Sequence, residues 1–297
     1  MIRRGPAVFL FSAALVALTL PALGLAQTAD ETAAKEAFNE GIKQMQAGAV
    51  DLAVTLFQTA IAKDPNLVDA NLNLGALFFQ TKKDDEALEQ FRKVTQKDPK
   101  SVEGFTNLGR VQNILKRPVE AEESFKAALA LKPDDAAILT ELGKIQYVAN
   151  RHADAAATFE KCHTSGGGNE TTWYYLGKCY QKQDKSTGAI TALEKALTFD
   201  AKNYNAHFAL GQIYLGQQKY SKAASSFKAA LNADGTKYLA SYNYAIAVES
   251  ESPDNADNNI ANWSSFVRMA KNNPKAKTEV ETAEAHLKEL QGTKAKQ

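Results

Sequence analysis

The feature that most constrains this chain is a 34-residue repeat that runs through it without an insertion. Glycine recurs once per unit, at Gly41, Gly75, Gly109, Gly143, Gly177 and Gly211. Alanine stands twelve residues after each glycine, at Ala53, Ala87, Ala121, Ala155, Ala189 and Ala223. Four residues further on is a bulky apolar residue, at Phe57, Phe91, Phe125, Phe159, Leu193 and Phe227. A register kept this strictly predicts stacked repeats rather than a conventional globular core.

Each repeat unit is expected to hold two amphipathic helices, because apolar residues recur at helical spacing on both sides of the glycine. In the second unit, Leu74 and Phe78 mark the first helix, and Leu88 and Phe91 mark the second. Glycine and alanine stand where two helix backbones must approach closely, and the bulky residues fill the remaining space. In three units a proline ends the second helix: Pro65, Pro99 and Pro133. These breaks exclude a continuous coiled coil.

This pattern resembles the tetratricopeptide repeat. The family consensus is matched in one unit by Leu74-Gly75, Phe78, Ala87, Phe91 and Pro99, and in another by Trp173, Leu176-Gly177, Tyr180, Ala189 and Ala196. The resemblance covers roughly residues 34 to 237. It implies an all-α fold, a right-handed superhelical solenoid of helix-turn-helix repeats, with the first helix of each unit lining the concave face. It also implies a protein or peptide partner.

The predicted organisation is a leader, a repeat array and a cap. Six repeats are expected at 34–67, 68–101, 102–135, 136–169, 170–203 and 204–237. A degenerate seventh repeat follows at 238–274, with a polar loop from Glu249 to about Asn258, and a capping helix at 275–291 shields the last apolar face. The segments 27–33 and 292–297 are predicted to be disordered. The triple glycine Gly166-Gly167-Gly168 is interpreted as a flexible turn that replaces the missing proline.

The N-terminus predicts export. Arg3 and Arg4 precede an apolar run at 7–20, and the small-residue site Gly24-Leu25-Ala26 follows it. This order is typical of a signal peptide, residues 1–26, that is cleaved after Ala26 to give a periplasmic or secreted protein. The alternative is an uncleaved anchor, although the run is short for a membrane span. No other segment is apolar enough to span a membrane, so none is expected after cleavage.

Charge and motif content exclude several function classes. The formal net charge is +1, so there is no basic excess for nucleic-acid binding. The histidines His152, His163, His207 and His286 lie in different units without ligand spacing, so no metal site is expected. No nucleophile motif or phosphate-binding loop is visible. We therefore predict no catalytic residues, no cofactor and no enzymatic activity.

The concave face is the candidate binding site, because the resemblance implies that ligands contact particular first-helix positions. The position after the repeat glycine holds a cation in three consecutive units: Arg110, Lys144 and Lys178. Aromatic residues and amides flank this predicted basic strip: Phe79, Tyr147, Tyr174, Phe208, Asn73 and Asn107. Such a surface suits an extended peptide with acidic side chains or a free C-terminal carboxylate. The alternative is a solvated polar face with incidental charges.

The leading functional hypothesis is a noncatalytic protein-interaction scaffold in the cell envelope of a bacterium. Two alternatives stay open. One is a glycan- or peptidoglycan-binding module, for which aromatic groove residues would also serve. The other is an accessory subunit of an envelope enzyme complex.

The two cysteines, Cys162 and Cys179, fall on helices expected to pack against each other, the second of one unit and the first of the next. Exported proteins meet oxidising conditions, so we consider a disulfide between them. The alternative is a pair of buried thiols that act as small apolar side chains.

Overall fold

A computed structural model describes residues 29–295, and these residues form helices and short connections without any strand. The expected signal peptide, residues 1–26, lies outside the described residues. The chain divides after Leu67 into two compact units. Within residues 29–295, no helix is both long enough and apolar enough to cross a membrane.

The first unit contains one helix hairpin, α1 (Ala29–Gln46) and α2 (Val50–Lys63). Since α1 begins at Ala29, the expectation of disorder at 27–33 is wrong for residues 29–33. The acidic residues Asp30 and Glu31 stand in the first turn, where negative charge stabilises a helix start. Asp30 also accepts a bond of 3.0 Å from Lys63 Nζ, which ties this end to α2.

The second unit continues the hairpins through residue 295. Its helices are α3 (Val68–Gln80), α4 (Asp84–Lys97), α5 (Val102–Ile114), α6 (Pro118–Leu131), α7 (Ala136–Val148), α8 (His152–Thr164), α9 (Glu170–Lys182), α10 (Ser186–Phe199), α11 (Tyr204–Gly216), α12 (Tyr220–Ala233), α13 (Tyr238–Glu251), α14 (Ala256–Ala270) and α15 (Lys277–Lys294). Odd-numbered helices from α3 to α13 are the first helices of their hairpins, and even-numbered helices from α4 to α14 are the second. Each second helix up to α12 packs on the next first helix, so the hairpins stack in sequential order.

Glycine sits beneath a bulky side chain inside each hairpin from α1–α2 to α11–α12, as the repeat predicts. The side chain is an aromatic ring except at Gly177, which lies under Leu193. The rings of Phe91 and Phe159 are fully buried. A Cβ added at Gly75 would lie 2.8 Å from Phe91 Cε1, and one at Gly143 would lie 2.8 Å from Phe159 Cζ. Both distances are too short for carbon atoms in contact, so the glycines allow the close approach of the paired helices.

The turn inside each hairpin from α1–α2 to α11–α12 uses a residue in the left-handed region. These residues recur every 34 positions in the second unit: Lys82 (φ 64°), Lys116 (φ 62°), Asn150 (φ 59°), Asp184 (φ 57°) and Gln218 (φ 58°). The equivalent residue of the first unit is Gly48, with φ 76°. Residues other than glycine rarely adopt this backbone conformation, so each of these five turns carries a small strain that the flanking helices offset.

The triple glycine between α8 and α9 is a packed turn. Gly166 has φ 80°, and the Gly167 amide donates to Cys162 O at 2.8 Å. A Cβ on Gly167 would lie 2.6 Å from Cys162 Sγ and closer still to Ala136. The turn therefore requires glycine for space as well as for backbone freedom.

The C-terminal end closes the stack. Helix α13 continues to Glu251 and α14 begins at Ala256, so the connection is shorter than the predicted polar loop. Trp263 and Phe266 are buried together with Val280 of α15, which caps the last hairpin. Because α15 extends to Lys294, the expectation of disorder at 292–297 is wrong for residues 292–294.

Candidate functional site

The first helices lie on the inner side of the second unit. Contacts join α3 to α5, α7 to α9, α9 to α11 and α11 to α13. Among the described helices, successive second helices make no comparable contact. A stack whose first helices approach each other more closely than its second helices curves toward the first helices. We call the side chains that these helices present on this inner, concave side the first-helix face.

The early part of the first-helix face carries acids as well as Arg110. Burial raises the pKa of Glu103, the charge of Asp69 raises it further, and Arg110 opposes both effects on that pKa. Arg110 Nη1 also donates to Asn107 Oδ1 at 3.4 Å. Arg110 therefore already interacts with neighbouring groups of the protein, and one of them, Asn107, is buried.

Lys144 also has an acidic neighbour. Its ammonium lies 3.5 Å from Glu141 Oε1, one turn earlier on α7. The predicted basic strip is thus a mixed row in which two cations have acidic groups nearby.

Lys178 differs from the other two cations. Its side chain is partly buried, and Nζ donates to the neutral Gln181 Oε1 at 2.6 Å. Burial lowers the pKa of Lys178, and the neighbouring charge of Lys182 lowers that pKa further. Within residues 29–295, no carboxylate lies within 4.0 Å of this ammonium. A desolvated cation without a counter-ion favours an anionic partner.

Two tyrosines lie beside Lys178 on α9, because Tyr174 and Tyr175 precede it by four and three residues. Tyr147 and Tyr175 meet edge to face with centroids 5.3 Å apart, and Tyr174 and Tyr175 meet in the same way at 5.5 Å. Tyr175 stacks on the buried ring of Phe159 at 5.8 Å. Sequence reasoning missed Tyr175, although its position three residues before Lys178 places both on one side of α9. These rings form a fixed aromatic wall next to the cation.

The phenols of this wall stay protonated at physiological pH. Burial raises the pKa of Tyr174 to about 12, and burial likewise raises the pKa values of Tyr147 and Tyr175. Neutral phenols add no negative charge beside Lys178. The wall therefore offers ring faces and hydroxyl groups to a ligand whose negative charge pairs with the Lys178 ammonium.

The remaining predicted groove residues are less available. Phe208 stacks on Tyr204 at 5.6 Å and meets Phe227 of the hairpin core at 5.5 Å, so it supports packing as well as the face. Asn73 Nδ2 donates to Asp69 O of its own helix at 2.8 Å. Phe79 is partly buried on α3. These three residues lie on α11 and α3, whereas Tyr174 and Lys178 lie one turn apart on α9, and Tyr147 contacts the neighbouring Tyr175.

The disulfide hypothesis is wrong in this structure, because both cysteines are free and buried. Helices α8 and α9 run antiparallel. His163 Nε2 contacts Thr172 Oγ1 at 3.0 Å at one end of the pair, and Gln183 Nε2 donates to His152 O at 3.0 Å at the other.

Cys162 lies near the end of α8 and Cys179 near the end of α9, so the antiparallel arrangement puts them at opposite ends of the seam. With a helical rise of about 1.5 Å per residue, they are separated by on the order of 10 Å along the axis, beyond disulfide reach. Cys162 Sγ instead donates to Ala136 O at 3.4 Å, and burial raises the pKa of Cys179 to about 12. Both act as small core residues.

The histidines have structural surroundings. His163 stacks on Trp173 with centroids 3.7 Å apart, and His286 Nε2 lies 2.9 Å from Glu249 at the cap. Within residues 29–295, no group of three histidine, cysteine, aspartate or glutamate side chains is placed to hold a metal ion.

Comparison with known proteins identifies the repeat. One family model described as tetratricopeptide repeat matches residues 44–106, and a second with the same description matches 116–165, 174–238 and 208–257. Together these matches cover more than half of the chain. A search of curated proteins found no relative of this sequence.

Solved structures share the fold at low sequence identity. The C-terminal part of a tetratricopeptide repeat protein from Cytophaga hutchinsonii matches with a TM-score of 0.66 at 15% identity, over 80% of this chain and 97% of that one. PilW, described as a widely conserved type IV pilus biogenesis factor, matches with a TM-score of 0.59 at 19% identity, over 73% and 97%. YrrB, described as having an unusual peptide-binding site, matches with a TM-score of 0.55 at 18% identity, over 62% and 93%. At these identities the likeness shows the fold alone.

Proposed function

The chain belongs to the tetratricopeptide repeat family and is built as a protein-interaction scaffold; from this premise we propose that it binds an extended anionic peptide on its first-helix face, with Lys178 as the anchor. The observation that carries the proposal is the partly buried ammonium of Lys178, which has no carboxylate partner among the described residues. An acidic side chain or a C-terminal carboxylate would supply the missing counter-ion.

The aromatic wall gives the ligand its second contact. Tyr147, Tyr174 and Tyr175 are held by edge-to-face packing, so they lose little side-chain freedom when a ligand binds. A peptide residue next to the anion would lie on these rings. Peptide binding is a stated property of YrrB, but the likeness to YrrB supports only the scaffold, and the ligand chemistry rests on Lys178 and the wall.

A displayed peptide library selected on the full chain tests this function. We expect the selected peptides to carry an acid or a free C-terminal carboxylate next to an apolar residue. The Lys178→Glu variant should weaken the best peptide at least tenfold. Lys144→Glu should weaken it less, because Lys144 already has Glu141 as a partner. Lys195→Glu, an equal charge reversal on the exposed side of α10, is the matched control and should leave affinity unchanged.

Two results would overturn the peptide-binding proposal. One is a selection of peptides without acids. The other is equal affinity of wild type and Lys178→Glu. A glycan array run in parallel addresses the alternative ligand class, since saturable glycan binding that is lost on mutation of Tyr174 or Tyr175 would assign the aromatic wall to carbohydrate instead.

We further propose that the chain acts in the bacterial envelope after cleavage following Ala26. The support is the order of Arg3-Arg4, the apolar run and the small residues before Gln27. N-terminal sequencing of the protein purified from fractionated cells should begin at Gln27 in the periplasmic or secreted fraction. An intact N-terminus in the membrane fraction would instead indicate a retained anchor.

A further inference from the structure

A cleft of about 260 Å³ opens between α12 and α13, away from Lys178 and the aromatic wall. Its lining contains Val248, near the C-terminal end of α13, with Lys228 of α12 and Glu251 of α13. Hydroxyl groups complete the rim, from Ser221, Ser225, Tyr244 and Ser252. The repeat explains why a cleft forms at this seam.

The two preceding seams are filled by a tyrosine from the chain itself. Val248 is equivalent to Tyr214 and Tyr180, which lie 34 and 68 residues earlier. Tyr180 packs against the apolar cluster between α8 and α9, and its hydroxyl donates to Glu160 Oε1 at 2.5 Å. Burial raises the pKa of Tyr214, and the charge of Glu194 raises that pKa further, so this phenol also lies near an acid of the preceding helix.

Both partners of this arrangement change in the next repeat. Valine replaces the tyrosine, and Lys228 stands at the position equivalent to Glu160 and Glu194. The ring of the two preceding seams is therefore missing, and the cleft opens at Val248, which holds the position of that ring in the repeat. A ring placed in this cleft would bury apolar surface against Ala224 and Val248, which is favourable.

The polar groups of the cleft define what the ring should carry. Within residues 29–295, neither Lys228 nor Glu251 forms an ion pair. A carboxylate on the ring would face Glu251, and an ammonium would face Lys228. A neutral hydroxyl avoids both conflicts, because it accepts from an ammonium and donates to a carboxylate. We propose that the cleft between α12 and α13 binds the phenolic side chain of a tyrosine presented by a partner peptide.

This site is independent of the proposed function, because it uses no residue of the first-helix face around Lys178. The probes are three tripeptides with blocked ends, each with glycine on both sides of a central tyrosine, phenylalanine or 4-carboxyphenylalanine. They are titrated into the full chain, and binding is followed by amide chemical-shift changes. For ligands of this size we expect dissociation constants of roughly millimolar. The tyrosine peptide should bind roughly three- to tenfold more tightly than the phenylalanine peptide, since only its hydroxyl pairs with the rim.

Two variants locate the site. Val248→Tyr restores the residue of the two preceding repeats, so it should fill the cleft, weaken tyrosine binding at least tenfold and leave the unfolding midpoint unchanged or higher. Val119→Tyr makes the same exchange on an exposed part of α6 and should change neither property. Lys228→Ala removes only an exposed side chain, so the fold is retained, and it should reduce the preference for tyrosine over phenylalanine.

Several outcomes would overturn the proposal. Shift changes outside α12 and α13, or none at millimolar concentration, would show that the cleft takes no phenol. Equal binding to wild type and a folded Val248→Tyr variant would do the same. Tightest binding of the 4-carboxyphenylalanine peptide would replace the phenol with an anionic ring as the ligand. An unchanged preference for tyrosine over phenylalanine in Lys228→Ala would show that the Lys228 amine does not contact the phenol.

Discussion

The interior of the hairpins and the first-helix face use the same repeat in different ways. Inside the hairpins, one contact recurs almost unchanged: glycine under a buried ring, as at Gly75 with Phe91 and Gly143 with Phe159. On the first-helix face, the position after the glycine is a cation in three units, yet each cation has different surroundings. Lys144 has an acid partner, whereas Lys178 has none among the described residues.

The difference shows how the repeat separates folding from recognition. Identical contacts repeated along the chain stabilise each hairpin and each seam, and none of them distinguishes one unit from the next. The surroundings of Lys178 and the cleft at Val248 occur once each among the described units. Stability should therefore depend on the recurring positions, and ligand choice on the exceptions.

The largest expected effect comes from removing a recurring ring. Phe125 is fully buried, so Phe125→Ala should lower the free energy of unfolding by about 3–5 kcal/mol through lost burial and a new cavity. Urea unfolding followed by circular dichroism measures this. Tyr147→Ala is the control on the face, where the partly exposed ring makes fewer contacts, and it should cost less than half as much. Equal losses would contradict the separation between interior and face.

A smaller effect is expected from crowding the recurring glycine. Gly143→Ala places a methyl group 2.8 Å from the Phe159 ring. The overpacking cost of about 1–3 kcal/mol should exceed the gain in helix propensity of at most about 1 kcal/mol, which leaves a net loss of stability. In Gly216→Ala the added methyl group meets no atom within 4 Å. This control should be neutral or slightly stabilising in the same unfolding measurement, and a stabilised Gly143→Ala variant would contradict the close approach.

The recurring part of the molecule was predictable because it depends on spacing. The repeat register predicted the hairpins, the glycine beneath each ring and the terminal cap. The left-handed turn residues were not predicted, because Lys82, Lys116 and Gln218 have side chains that normally disfavour positive φ. There, tertiary packing of the two helices overrides local preference.

The exceptional positions were predicted only in part. Lys178 and Tyr174 were found from their place in the repeat, but burial and the absence of a counter-ion depend on neighbours in three dimensions. Tyr175 was not predicted because it lies outside the first-helix positions that the resemblance assigns to ligand contacts. The two cysteines were correctly predicted to lie on neighbouring helices. Their positions at opposite ends of the seam were not predicted, because α8 and α9 run antiparallel. The cleft at Val248 was not predicted, because it depends on how α12 and α13 pack where valine replaces the tyrosine of Tyr180 and Tyr214.

An intermediate effect is expected at a charged contact between hairpins. Glu122 is buried and accepts from Arg151 Nη1 at 3.0 Å, with a second bond from Arg151 Nη2. Arg151 holds the pKa of Glu122 below its ordinary value. The contact therefore stabilises the fold above the unfolded-state pKa of glutamate, and this contribution is lost as pH falls through the lower folded-state pKa.

Glu122→Gln should lower stability by about 1 kcal/mol at neutral pH, a value that allows for the partly exposed guanidinium. The gap between wild type and variant should close as pH falls through the folded-state pKa of Glu122. Unfolding measured across this pH range provides the test. Glu123→Gln changes an exposed neighbour on α6 and should show no such gap. A gap that persists in acid would mean that shape, rather than charge, stabilises the contact.

The smallest effect most directly separates two of the three cations of the first-helix face, Lys144 and Lys178. Burial lowers the pKa of Lys178, so its charged form opposes folding, and wild-type stability should rise as pH increases from the folded-state pKa toward the unfolded-state pKa. Lys178→Met removes this penalty and should raise stability at neutral pH by about 0.5 kcal/mol. The stability of this variant should not show the rise toward alkaline pH that is expected of wild type. Lys144→Met removes a cation paired with Glu141 and should lower stability by a few tenths of a kcal/mol, at most about 0.5.

Opposite signs in the two variants would show that Lys178 is kept at a cost to the fold, which is the expected property of a residue that serves a ligand. The same sign in both would make Lys178 an ordinary surface lysine, and the proposed anchor would lose its physical basis.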